Sequence, residues 1–269
     1  MQTGFVSIGS LEVHYRREGD GAGPPWVFVH GIGEDLSSWT AQQEALALDH
    51  TTYAIDVRGH GTTELGADAK GSVQQLADDL LGFLATVGPS VCIGFSMGGT
   101  IVLAAAASQK SRLIERAVGV CTSSVVGRRA AMQFRADADS IDTAGGGRAA
   151  RTAVDRFLTA SVQRKPQGWN VQRAARLAAV GDGRGYANAA RAMASLQETP
   201  LGPKLSEIDC PIDILVGEYD EACPQRAGEA IVSAVPDGRI HLIPNVGHFV
   251  GIEDPTLLTR KLRALREGV

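Results

Sequence analysis

The chain predicts an α/β fold: a mostly parallel eight-stranded sheet flanked by helices, with a helical cap inserted between two strands. Three observations carry this. Short runs rich in β-branched residues alternate with helix-period stretches along most of the 269 residues, which is the pattern of βα units. The alternation lapses between residues 123 and 209, where Ala- and Arg-rich stretches are broken by Gly145-Gly146-Gly147, Gly181-Asp182-Gly183 and Pro200. Hydrophobic residues at 44% and charged residues at 21% are ordinary globular usage, which excludes wholesale disorder.

In chain order, residues 5–8 and 12–17 lie close enough to form a hairpin, hence an antiparallel edge. The runs 26–30, 52–56, 91–94, 117–121, 212–216 and 239–243 supply the other six strands. Between them, Val73, Leu76, Ala77, Leu80, Leu81 and Leu84 recur at helical spacing with Asp78 and Asp79 off that face, which predicts an amphipathic helix. Further helices are expected over 39–48, 96–108, 224–235 and 255–267, the last two opened by Pro224 and Pro255. The division that follows is a core of residues 1–122 and 210–269 with a cap at 123–209. No internal repeat is visible.

The formal charge of −4 provides no basic field for nucleic acid or anionic lipid. It conceals an asymmetry: residues 122–209 hold 13 Lys and Arg against 8 Asp and Glu, a net +5, which leaves −9 on the remainder. The longest apolar run, residues 101–107, is far short of the ~20 residues that cross a bilayer. Residues 1–10 lack the basic-then-apolar pattern of a secretory leader, so the expected location is cytoplasmic, with no membrane partner. Cys92, Cys121, Cys210 and Cys223 are scattered, with no CxxC pair and no His at metal-ligand spacing. They read as reduced thiols packed as small hydrophobes, and no metal or other cofactor is implied.

Gly94-Phe95-Ser96-Met97-Gly98 matches G-x-S-x-G and falls between a predicted strand and a predicted helix. A Ser on so sharp a turn is forced into strained backbone angles, and the flanking glycines let neighbouring chain approach. A hydroxyl is a poor nucleophile at neutral pH and needs a base, usually His, oriented by a carboxylate. The loops after the last two predicted strands supply both, Asp220 in Gly217-Glu218-Tyr219-Asp220 and His248 in Asn245-Val246-Gly247-His248. Glu218 and Glu221 flank Asp220 as alternative acids. His30 and His60 read as structural hydrogen-bonders, and His14, His50 and His241 as solvated or strand-face residues. Cys223 lacks an adjacent base and reads as a packed thiol.

Over essentially its whole length the chain resembles the α/β-hydrolases. His30-Gly31-Ile32-Gly33 matches that family's oxyanion loop, Asp56-Val57-Arg58-Gly59-His60-Gly61 its D-x-R-G-H-G loop, and Ser, Asp and His follow in the family's order. The resemblance implies Ser96 as nucleophile, His248 as base, Asp220 as its orienting acid, and the backbone N–H groups of Ile32 and Met97 as the oxyanion hole. Gly31, Trp169 and Phe249 are the expected pocket walls, with packing in the core of the cap as the alternative for Trp169. A Ser at the elbow departs from the haloalkane dehalogenase and epoxide hydrolase branches, which place Asp there.

The stretch from Gly33-Glu34-Asp35 to Trp39, with the texture of residues 147–159, is similar to 3-oxoadipate enol-lactonases and small esterases. The implied reaction is hydrolysis of an ester or lactone of a small molecule, with Arg128, Arg135, Arg148 and Arg151 of the cap suiting a substrate that bears carboxylates. Three other readings stand beside it: a C–C bond hydrolase of ring-cleavage products, whose G-P-G oxyanion loop is not matched by Gly31-Ile32-Gly33; an esterase for a carrier-linked acyl group; and a non-catalytic ligand receptor on the same fold, expected to show a damaged triad. Haloperoxidase-like branches gain no support from Gly33-Glu34. Composition is silent between monomer and homodimer.

Overall fold

The computed structural model describes residues 1–108 and 111–266. Its eight strands are β1 (Gln2–Ile8), β2 (Leu11–Glu18), β3 (Trp26–Val29), β4 (Thr52–Ile55), β5 (Ser90–Phe95), β6 (Ile114–Val120), β7 (Ile212–Gly217) and β8 (Gly238–Ile243). They form one sheet in the order β1-β2-β4-β3-β5-β6-β7-β8. Pairing is antiparallel for β1 with β2 and β2 with β4, and parallel from β4 through β8. Ile8 faces Leu11 across the two-residue loop Gly9-Ser10, and Gly9 at φ 61° supplies the positive first turn angle that such a hairpin favours.

Burial follows pairing. β3 and β7 are buried at every residue, as parallel strands covered on both faces must be, whereas β1 and β8 at the edges are mostly exposed or half-buried. Val27 and Val29 point to one layer, which also holds Leu76, Leu80 and Ile101; Trp26 and Phe28 point to the other, with Leu46, Leu258 and Leu262.

The first layer is covered by α2 (Val73–Val87) and α3 (Met97–Ala106), and the second by α1 (Thr40–Leu46) together with the C-terminal helix Pro255–Arg266. α2 starts where the Ser72 hydroxyl accepts the Gln75 N–H at 3.3 Å and stops at Gly88, whose φ of 92° no longer fits a helix. The α3 helix is buried on all sides, which explains why its apolar run shows no polar face.

Between β6 and β7 the chain forms α4 (Arg128–Ser140), α5 (Gly146–Ser161), α6 (Trp169–Ala179), α7 (Arg184–Ser195) and the short α8 (Gly202–Leu205). The alanines make this segment's own small core: Ala138, Ala150, Ala153, Ala187 and Ala190 pack with Val154 and Tyr186. After β7 come α9 (Gln225–Val232), α10 (Val250–Glu253) and the C-terminal helix, α11.

Predicted and observed boundaries differ by a few residues. The helix expected from residue 39 begins at Thr40 after a 3₁₀ turn at Leu36–Trp39, because the Asp35 side chain caps Ser37 at 2.8 Å and starts a tighter turn first. Glu267, the expected end of the last helix, lies outside the described residues, as do residues 268 and 269 of the predicted core. Among the described residues, no helix is long and apolar enough to cross a membrane.

Candidate active site

Because β3, β4, β5, β7 and β8 run in one direction, the loops that follow them meet at a single edge of the sheet, where open α/β sheets place their ligands. Ser96 stands between β5 and α3 with φ 51° and ψ −114°. This left-handed backbone keeps it out of the helix expected from residue 96, at a cost of about 1–3 kcal/mol. Its N–H donates to the Val120 carbonyl at 2.8 Å, and its own carbonyl accepts the Thr122 hydroxyl at 2.8 Å. The elbow leaves no room for side chains beside it: a Cβ on Gly94 would lie 2.2 Å from the Gly98 carbonyl, and one on Gly98 would lie 2.2 Å from the Val29 carbonyl oxygen.

The Ser96 hydroxyl is 3.1 Å from His248 Nε2, and His248 Nδ1 is 2.9 Å from Asp220 Oδ2. Since the carboxylate can only accept, Nδ1 carries the proton and Nε2 is left to accept from the hydroxyl. Asp220 Oδ1 accepts the N–H groups of Ala222 at 2.9 Å and Cys223 at 2.8 Å. Burial by itself pushes the Asp220 carboxyl upward, yet the hydrogen bond and charge of His248, with the Cys223 N–H and the Cys121 thiol, hold it below the ordinary carboxylate range. The alternative acids are placed elsewhere: Glu218 is exposed and accepts the Asn245 N–H at 2.8 Å, and Glu221 is exposed. Phe95, Phe157 and Phe249 surround the imidazole at ring distances of 5.1, 5.3 and 5.2 Å.

On the opposite side, the loop after β3 is held at both ends. Gly31 N–H donates to Glu34 Oε2 at 3.2 Å and Gly33 N–H to His60 Nε2 at 3.3 Å, which fixes the backbone on either side of Ile32. Met97 is the first residue of α3, where a backbone N–H has no partner within the helix and the positive end of the helix dipole adds to it.

His30 and His60 are buried and hydrogen-bonded as expected. Each donates from Nδ1 to a nearby carbonyl, that of Gly31 at 2.8 Å and that of Arg58 at 3.1 Å, and His30 Nε2 accepts the Val57 N–H at 3.0 Å. Burial, and for His30 also the charge of His60, pushes both below the ordinary imidazole value, His30 to about 3.

The expectation of solvated or strand-face histidines needs correction at His50, which is 6% exposed and stacks on Trp26 at 4.8 Å. His14 and His241 do sit on strands, each on a carboxylate, Asp56 at 2.7 Å and Asp213 at 2.8 Å.

Of the expected pocket walls, Phe249 lines a small cavity with Phe95, Trp39 and Arg176. Gly31 does not line it: the glycine is buried, its N–H is turned to Glu34, and a Cβ there would strike the Phe95 ring at 2.8 Å. Trp169 is half-buried against the core layer that contains Phe249, with Lys165 5.9 Å from its ring. Arg128, Arg148 and Arg151 are exposed, and Arg135 pairs with Glu198 at 2.7 Å. The arginine brought next to the site is Arg176, 5.8 Å from the Phe249 ring and paired with Glu34, and no spacing rule marks it in the sequence.

Cys92, Cys121 and Cys210 are buried and Cys223 half-buried, all four free. Among the described residues, Cys121, Asp220 and His248 form a cluster whose donor atoms lie within 4.8 Å of one another. Burial, and then the Asp220 charge, drives the Cys121 thiol well above its ordinary value, so it stands beside that carboxylate as a protonated thiol.

Residues 24–255 match the family model described as the alpha/beta hydrolase fold. The chain is 26% identical over 264 residues, 94% of each chain, to the (E)-2-((N-methylformamido)methylene)succinate hydrolase of Acinetobacter baylyi. Among solved structures it is similar to the enol-lactonase of Burkholderia xenovorans LB400, with 25% identity, a TM-score of 0.85 and coverage of 98% of this chain and 99% of that one. A thermophilic esterase from Thermogutta terrifontis shares the fold at 23% identity, TM-score 0.84, with 99% of both chains covered. By that match across most of its length and by its sheet, the chain belongs to the α/β-hydrolase family, as a hydrolytic enzyme.

Proposed function

We propose that the protein hydrolyses an ester or lactone bond of a small molecule through an acyl-enzyme on Ser96. The observation that carries this is the unbroken relay of hydrogen bonds from Ser96 Oγ through His248 to Asp220. In this reading Ser96 Oγ attacks the acyl carbon while His248 Nε2 takes its proton, and Asp220 holds the tautomer and stabilises the imidazolium. The N–H groups of Ile32 and Met97 receive the oxyanion. His248 returns the proton to the leaving alkoxide, then activates a water that releases the acid. The helices between β6 and β7 serve as the cap that selects the substrate. Similarity to an enol-lactonase supports a lactone, and similarity to a hydrolase of a succinate derivative supports a substrate that carries carboxylates.

The test is labelling by a fluorophosphonate, followed by rates on small lactones, aryl esters, carbamates and vinylogous diketones, each per mole of active serine. Labelling at Ser96 with the highest kcat/KM on lactones or esters is the expected result. An unlabelled, folded protein identifies a receptor, and a preference for diketones identifies C–C hydrolysis. Ser96→Ala is expected to lose kcat by about six orders of magnitude while melting as the parent does.

A further inference from the structure

Both halves of the proposed machinery are tied to the helices between β6 and β7 by the same device, a buried carboxylate that divides its two oxygens. Glu34, 3% exposed, accepts the Gly31 N–H on Oε2 at 3.2 Å, next to the Ile32 amide, while Oε1 forms an ion pair with the guanidinium of Arg176 from α6. Glu253, 5% exposed, accepts the Gly247 N–H on Oε1 at 3.0 Å, next to His248. Its Oε2 takes the backbone N–H groups of Gln163 at 3.2 Å and Arg164 at 2.9 Å, from the turn that follows α5. The second attachment is reinforced by His248 N–H donating to the Ser161 carbonyl at 3.3 Å and by the Arg164 guanidinium 3.3 Å from Asp254.

We infer that Glu34 and Glu253 are positioning residues that make the oxyanion loop and the base loop depend on docking of this helical segment. A carboxylate is an acceptor only, so two divergent sets of donors satisfy it and neither set alone does. With the helices undocked, each carboxylate keeps one backbone N–H, loses its other partners and meets water in their place, which leaves it free to turn away from the loop it holds. The segment thus acts as a template for catalysis as well as a roof. Misplacing a reacting group by about 1 Å from a distance costs on the order of 100-fold in rate.

The inference rests on the serine-hydrolase reading, and steady-state kinetics with a neutral aryl ester tests it. Glu253→Gln puts an amide donor against backbone donors, and Glu34→Gln does the same toward Arg176. Each is expected to lower kcat about 10–100-fold with KM within about twofold. Arg176→Met, which removes the cap side of the first attachment and keeps an apolar stem against Phe249, should reproduce the Glu34→Gln loss, and the double variant should add little to either. Arg176→Lys should recover part of it.

Folded variants with parental kcat, losses that lie wholly in KM, or losses that match the unfolded fraction measured by circular dichroism overturn the inference. Should Glu253→Gln not fold, the Arg176 pair still decides. Parental protein that labels with a fluorophosphonate while the variants label equally fast refutes the coupling and leaves the reading standing. A parental protein that never labels sinks both.

Discussion

Ser96 departs from ordinary backbone geometry because its neighbours permit nothing else. Gly94 and Gly98 bring β5, α3 and the end of β3 to within backbone contact, and the chain reverses at Ser96, whose hydroxyl meets His248 Nε2 at 3.1 Å. Gly98→Ala is therefore expected to destabilise by more than about 2 kcal/mol, because the added methyl meets the Val29 carbonyl oxygen, which is fixed in the sheet. An unchanged midpoint in urea denaturation would contradict it. Asp220→Asn keeps an oxygen for the Ala222 and Cys223 amides but turns an NH₂ toward His248, which favours the wrong tautomer. The expected loss in kcat is about 10⁴-fold with little change in melting, read by parallel kinetics and calorimetry. Ser96, Asp220 and His248 are legible in the sequence because each sits in a short local pattern just past a strand. Glu34, Glu253 and Arg176 are not: each carboxylate joins a nearby backbone amide to a group of the helical segment that is remote in sequence, and no periodicity records that.

At the scale of elements, the loop after β4 shows how a motif becomes scaffolding. Asp56 ties three pieces together, accepting the Leu36 N–H at 2.8 Å, the Thr62 N–H at 2.9 Å and the His14 ring at 2.7 Å. Arg58, 4% exposed, reaches into α2 with a forked pair to Asp79 at 2.7 and 2.8 Å, and also meets Asp68 at 2.7 Å and the Leu65 carbonyl at 3.1 Å. Removing the guanidinium leaves the mostly buried Asp79 without its partner, and burial already raises that carboxyl above its ordinary value.

Arg58→Ala is expected to cost about 3–5 kcal/mol in urea unfolding, and Arg58→Lys part of that, since an ammonium cannot match the fork. Equal midpoints for parent and both variants would exclude the role. All eight strands are legible from β-branched runs bounded by turns. The helix ends are less so, because caps such as Asp35 and the reversed backbone of Ser96 override propensity at a single residue.

The molecule as a whole carries a pH dependence that follows from burying two neutral histidines beneath the candidate site. His30 and His60 each use Nε2 as an acceptor for a backbone N–H, of Val57 and of Gly33, a role that protonation abolishes. In the unfolded chain both titrate near pH 6.5; in the fold, burial lowers both, against the pull of Asp56 and Asp35 on His60 and with the added repulsion of His60 on His30, which falls to about 3. The sign follows: below pH 6.5 the unfolded state binds protons that the native state refuses, so stability is complete above that pH and is lost as the pH falls toward the native values. Each histidine contributes a slope of about 1.4 kcal/mol per pH unit within its window. Asp220, whose carboxyl is held below its ordinary value, acts only below that ordinary value, and Asp79, which burial raises, acts with the opposite sign, so a loss of stability from pH 6.5 to 5 belongs to the histidines. Urea denaturation at pH 7.5, 6.5, 5.5 and 5.0 should show a nearly flat upper pair and a fall of at least about 1 kcal/mol across the lower three, which His30 alone supplies and His60 adds to. Because His60 grips the Gly33 amide of the oxyanion loop, the same acidification should depress kcat before the global transition is reached. Stability that is level from pH 7.5 to 5.0 would mean that these imidazoles take up protons in the fold and that the loop is held by other bonds.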